Sequence, residues 1–123
     1  MRFLFMHAYW KLILFDFHIA RNDFAGVYRN VRSSPVAKQR SPSEAAHICD
    51  TVDLACIWYR KEVLCLQRSA ATACLLKEHG IAAELVIGAQ QMPFKAHAWV
   101  EVDGQIVNDK PYTAEMYQVL DRC

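Results

Sequence analysis

Apolar and polar positions follow three rhythms along this chain of 123 residues. Residues 1–20 are almost continuously apolar and aromatic, interrupted by Arg2, Lys11 and Asp16 and followed by Arg21. A membrane helix needs about 20 uncharged apolar residues, so this segment predicts a helix buried in protein and no membrane span. It also lacks the small-residue cleavage site of a secretory signal. Residues 30–43 hold two prolines and four serines, the composition of a connection that closes a helical front. Ser41-Pro42-Ser43-Glu44 then has the capping-box form, with Ser41 as N-cap, Pro42 at the first helical position and Glu44 at the third. The helix it opens is expected to run to about Arg60, with Ala45, Ile48, Cys49, Val52, Ala55, Cys56 and Tyr59 on one face. A second helix is predicted over 65–79, where Leu66, Ser69, Ala70, Ala73, Leu76 and Lys77 recur at helical spacing and Gly80 stops the run. Lys77 and His79 fall in its last turn, where positive charge and N–H groups suit exposed carbonyls, so His79 reads as a cap.

After Gly80 the period shortens. Residues 81–88 read as a strand, 89–93 as a loop, 94–102 as a second strand and 105–109 as a third, with Asp103-Gly104 as the hairpin signal between the last two. Residues 113–120 predict one short helix capped by Thr113. Helices followed by antiparallel strands define an α+β class, with N-terminal helices packed on a small antiparallel sheet. The chain is expected to form one domain, 1–123, made of a front segment 1–42 and a core 43–123.

Composition narrows the reading. With 54% hydrophobic and 22% charged residues and a net charge of +1, the chain is globular and not disordered. Five cysteines, an odd number without C-x-x-C pairs, predict reduced thiols in the cytoplasm. Up to Pro42 seven Lys/Arg face two Asp/Glu, and beyond it seven face eleven, so the front is about +5 and the rest about −4. Such a front is either a solvated basic surface or a docking surface for a partner protein or an acidic peptide. No basic run with interleaved aromatics points to nucleic acid. The cysteine spacings suit helix faces and not zinc, and four scattered glycines form no phosphate loop, so no metal or cofactor is expected. Cys49, Cys56 and Cys74 read as inert core residues.

Cys65 differs because it opens a predicted helix, where free N–H groups and the macrodipole favour a thiolate. At that position a cysteine is either a nucleophile or a buried small hydrophobe. His97 lies in a predicted strand, where a hydrogen-bonded structural role competes with catalysis. Paired with Asp109 on the next strand, it can serve as general base of a Cys-His-Asp set. Register decides whether it can. A two-residue Asp103-Gly104 turn would place Asp109 opposite Ala98, on the wrong face for His97. A three-residue loop with Gly104 left-handed pairs Glu101 with Gln105 and sets His97 across from Asp109. The expectation is this second register, with His97, Trp99, Val107 and Asp109 on a face toward the Cys65 helix and Ala98, Val100 and Ile106 on the other.

The strings Cys65-Leu66-Gln67-Arg68-Ser69, Leu85-Val86-Ile87-Gly88, Pro93-Phe94-Lys95-Ala96-His97-Ala98-Trp99-Val100-Glu101-Val102 and Asn108-Asp109 together resemble the transglutaminase-like superfamily. Within it, they are similar to the leader peptidases of lasso-peptide biosynthesis over about residues 43–112. The resemblance implies a papain-like cysteine peptidase that removes the leader from a ribosomally made precursor, with Cys65 as nucleophile, His97 as base and Asp109 as orienting acid. It further implies a separate, ATP-dependent cyclase as a partner. The front lacks strand-like alternation, so the chain resembles the split form that relies on a separate leader-recognition protein. The backbone N–H of Cys65 is expected to supply one oxyanion donor. Gln67, Arg68 and Trp99 are candidates for substrate contact. A transglutaminase-like acyl transferase and a non-catalytic adaptor that presents the precursor to the cyclase are the alternatives.

Overall fold

A computed structural model describes residues 2–38, 45–59, 62–91 and 94–123. Helix α1 (Arg2–Ala20) buries Leu4, Ala8, Leu12 and Phe15, a stripe at helical spacing. Its apolar residues continue around the cylinder, and Phe3, Met6, Trp10 and Phe17 stand in solvent. The expected buried helix is therefore buried on one face alone. No helix among the described residues is long and apolar enough to cross a membrane.

Helix α2 (Phe24–Ser33) begins at Asp23, whose carboxylate accepts the Gly26 N–H at 3.0 Å. It runs through the start of the expected connection because Val27 and Val31, four apart, are both fully buried. Helix α3 (Ala45–Trp58) presents the anticipated face, with Ile48, Cys49, Val52 and Ala55 buried and Ala45 and Cys56 at its margin. The capping box at 41–44 and the expected end at Arg60 lie outside the described residues.

Helix α4 (Cys65–Glu78) is the axis of the molecule, with Gln67 and every residue from Ser69 to Lys77 buried. It packs against α1 and α3 on one side and the sheet on the other, which is why small residues recur along it. Its end is a Schellman motif: Gly80 takes φ +80°, Gly80 N–H donates to Lys77 O, and Ile81 N–H donates to Leu76 O. His79 occupies the C-cap position, as expected. The Lys77 ammonium turns back to donate to Val31 O at 2.7 Å, where its charge suits the C-terminal end of α2.

The sheet has strands β1 (Ala83–Gln91), β2 (Phe94–Val102), β3 (Gln105–Ile106) and β4 (Gln118–Arg122), in the order β3-β2-β1-β4, all pairs antiparallel. The result is an α+β fold. Three expectations change. The β1 ladder continues through Ala89–Gln91, residues assigned to a loop, since they pair with Phe94–Ala96. Strand β3 has two residues instead of five. The tail forms a single turn, α5 (Thr113–Met116), and then β4 where helix was expected. Edge pairing explains β4. Cys123 and Leu85 exchange both backbone hydrogen bonds, and Arg122 reaches across β1 to Glu101 at 2.8 Å. Glu101 is a buried carboxylate that also accepts from the Trp99 indole at 2.9 Å, so the strand supplies the charge that this site needs.

Candidate functional site

Cys65 is the first residue of α4, preceded by Leu64 in extended conformation (φ −73°, ψ 153°) with no side-chain cap. No polar side chain at Leu64 offsets the positive helix end beside the half-buried thiol. His97 sits on β2 opposite Gly88. A Cβ at Gly88 would come within 2.7 Å of the Trp99 ring and 2.8 Å of Tyr117 Cβ. The bare backbone lets Tyr117 close over the strand, and its ring stacks on the imidazole at 5.3 Å between centroids.

His97 Nε2 and Asp109 Oδ2 are 2.6 Å apart. They meet by a route other than the expected register. Asp103 and Gly104 both have positive φ (53° and 77°), and Val102 pairs with Gln105, the two-residue turn that would send Asp109 to the wrong face. The ladder, however, breaks before Asp109. Val107 N–H still donates to Val100 O at 3.0 Å, but the Val100 N–H goes to Asn108 Oδ1 at 2.8 Å, replacing the Val107 carbonyl an unbroken ladder would use. Asn108 Nδ2 donates to Ser69 Oγ, which donates to Ala98 O, both at 3.0 Å and both buried. This side-chain bridge from α4 bends the chain, and Asp109 swings to the imidazole. The expected orientation toward the Cys65 helix is reversed along most of the strand: Ala98 and Val100 join the core cluster with α4, whereas His97 and Trp99 pack with Tyr117, and His97 meets the Cys65 cavity only as one of its lining residues.

Burial alone would raise the Asp109 carboxyl, yet hydrogen bonds from His97 and the Lys110 N–H hold it below the usual carboxylate range. An ionised Asp109 cannot donate, so Nε2 carries the proton of that bond and Nδ1 is the nitrogen left with a lone pair. Cys65 and His97 line one cavity of about 180 Å³, together with Phe24, Tyr28, Leu66, Ile87, Ala96 and Ala98. No direct hydrogen bond joins the thiol to the ring among the described residues. Burial raises the other four thiols, Cys49, Cys56, Cys74 and Cys123. Burial, with Asp53 nearby, pushes Cys49 and Cys56 up to about 11, and burial raises Cys74 despite its contact with Ser34.

The three expected substrate contacts lie elsewhere. Gln67 is buried and donates to Leu12 O of α1 at 2.7 Å, so its amide is spent on helix packing. Arg68 is turned to Asp53 at 3.1 Å. Trp99 is fully buried with its indole on Glu101. From sequence, Ser69 and Asn108 have no role in the site beyond their place in a helix stripe and in the family strings, and Tyr117 is unmarked. A serine inside a buried helix stripe and an asparagine inside a presumed strand were the available signals, since both are polar groups that need partners there. Among the described residues no three His, Cys, Asp or Glu side chains are grouped to hold a metal ion.

The sequence matches the transglutaminase-like superfamily over residues 11–122, nearly its whole length. The chain belongs to that superfamily. This transglutaminase-like chain is also 43% identical over 56 residues to the microcin J25-processing protein McjB of Escherichia coli. The match covers 46% of this chain and 27% of that relative, so the chain spans about a quarter of the curated protein's length. No solved structure matches it.

Proposed function

We propose that this chain is a cysteine peptidase of lasso-peptide maturation that cleaves the leader from a ribosomally made precursor, with Cys65, His97 and Asp109 as its catalytic residues. The observation that carries the reading is the 2.6 Å His97–Asp109 contact beside a cavity shared with a helix-terminal cysteine. The likeness to a microcin-processing protein supplies the substrate class. Cys65 gives its proton to His97 Nδ1 and the thiolate attacks the scissile carbonyl. The imidazolium, held in place by Asp109, protonates the departing amine as the C–N bond breaks and a thioester forms. Water, deprotonated by the same ring, then hydrolyses the thioester and frees Cys65. Backbone N–H groups at the start of α4, that of Cys65 among them, stabilise the oxyanion.

On this reading the partners are the precursor's leader region, a separate leader-recognition protein and an ATP-dependent cyclase. The site of action is the cytoplasm, and residues 1–123 act as one catalytic domain with 1–42 as its partner-facing part. The test is precursor cleavage followed by mass spectrometry, with the recognition protein present. Cys65→Ala is expected to abolish cleavage, while Cys74→Ala keeps most of it; equal behaviour of the two variants overturns the assignment. A product bearing an added amine instead of a free acid would mark an acyl transferase.

A further inference from the structure

The cavity beside Cys65 has a wall that the chemistry above does not use. Phe24 and Tyr28 stand four residues apart on α2, the spacing that sets two side chains on one helix face, and both line the cavity. The helix that carries them is pinned by the Asp23 cap, by the buried Val27 and Val31, and by the Lys77 ammonium on Val31 O. Ile87 of β1 closes the far side with Ala96 and Ala98 of β2. Apart from one phenol, these side chains are apolar. A charged group placed among them would lose water without gaining a partner, whereas hydrocarbon gains roughly 25 cal/mol for each Å² withdrawn from water. The volume, about 180 Å³, is close to the roughly 150 Å³ that holds a benzene-sized guest. Because Cys65 lines the same space, a side chain held there sits beside the thiol.

We propose that Phe24, Tyr28 and Ile87 form a specificity pocket that selects peptides carrying one branched aliphatic or single-ring side chain beside the scissile carbonyl. This inference rests on the peptidase reading.

The full chain is treated with four peptidyl chloromethyl ketones that differ in the residue bearing the electrophile: Gly, Val, Phe or Asp. The Cys65 sulfur attacks the methylene, the C–Cl bond breaks and chloride leaves, giving a thioether that mass spectrometry counts and peptide mapping locates. The Val and Phe reagents are expected to label Cys65 at least tenfold faster than the Gly and Asp reagents. Phe24→Ala and Tyr28→Ala should each reduce that preference to threefold or less, and the half-exposed position of Phe24 makes its variant a mild change to the fold. Equal rates for the four reagents on the unaltered chain, or an undiminished preference in both variants, overturn the pocket. Iodoacetamide separates the two layers of the argument. If it alkylates Cys65 while the four reagents react equally, the pocket falls alone; if neither it nor any reagent labels Cys65, the peptidase reading falls with it.

Discussion

At the residue scale, the proposed mechanism leaves to Asp109 the choice of how His97 acts. An ionised carboxylate on Nε2 selects the tautomer whose Nδ1 accepts a proton; a neutral amide in its place can present an N–H to Nε2 and select the other. Asp109→Asn is therefore expected to lower kcat for precursor cleavage on the order of 10³–10⁴-fold, the scale seen when an orienting acid is lost, with little change in KM. The same carboxylate links folding to pH. Its folded pKa is depressed, so its contribution to stability is fully present above the ordinary aspartate value near 3.9 and is lost as pH falls through the depressed folded value. Urea midpoints measured from pH 6 down to 2.5 should fall less steeply in Asp109→Asn than in the unaltered chain. Parallel curves would show that folding does not depress the Asp109 carboxyl.

At the scale of elements, helix faces and strand partners differ in how far a sequence reveals them. The α3 face was legible because Ile48, Cys49, Val52 and Ala55 repeat at helical spacing and are all buried. The end of α4 was legible because Gly80 is a local stop signal. Strand β4 was not, since all five of its residues are exposed and its reason for existing is the distant edge of β1 and the carboxylate of Glu101. The site divides along the same line. Cys65, His97 and Asp109 are proposed from chemistry and likeness, but the bend that joins the last two depends on Asn108 meeting Ser69, residues 39 apart in sequence. Register arithmetic assumed a ladder that continues to Asp109, and one side-chain amide ends it. Asn108→Ala should consequently leave the Val100 N–H without its acceptor and Ser69 without one partner. Each buried polar group left unpaired costs about 1–3 kcal/mol, and chemical denaturation should register a loss in that range. Cleavage should fall as well, because Asp109 loses the anchor that aims it. Normal stability with normal activity would mean that Lys110 and the turn alone position the acid.

The whole molecule places its candidate site and its exposed hydrocarbon on different elements. The cavity is built from α2, α4, β1 and β2, whereas Phe3, Met6, Trp10 and Phe17 project from α1, with Phe3 at 78% and Trp10 at 62% exposure. The opposite face of α1 holds Leu12 and Phe15 in the core and meets α4 through the Gln67 amide, so the helix is anchored independently of its outer stripe. Apolar surface of this kind drives association in water, while replacing exposed side chains, here with the loss of the Arg21 guanidinium's 4.4 Å contact on the Phe17 ring, changes stability by about 0.5 kcal/mol, or up to about 1 kcal/mol with that contact. The double variant Trp10→Lys and Phe17→Lys is expected to bind less of a hydrophobic dye and to stay monomeric at higher concentration, with its melting temperature within a few degrees of the original. Light scattering and a thermal melt on the same samples check both halves. A large fall in melting temperature would mean that the stripe is packed in solution and that α1 is held from both faces; its charge, raised by two, would then act on a buried surface and the cavity would be disturbed along with it through Gln67.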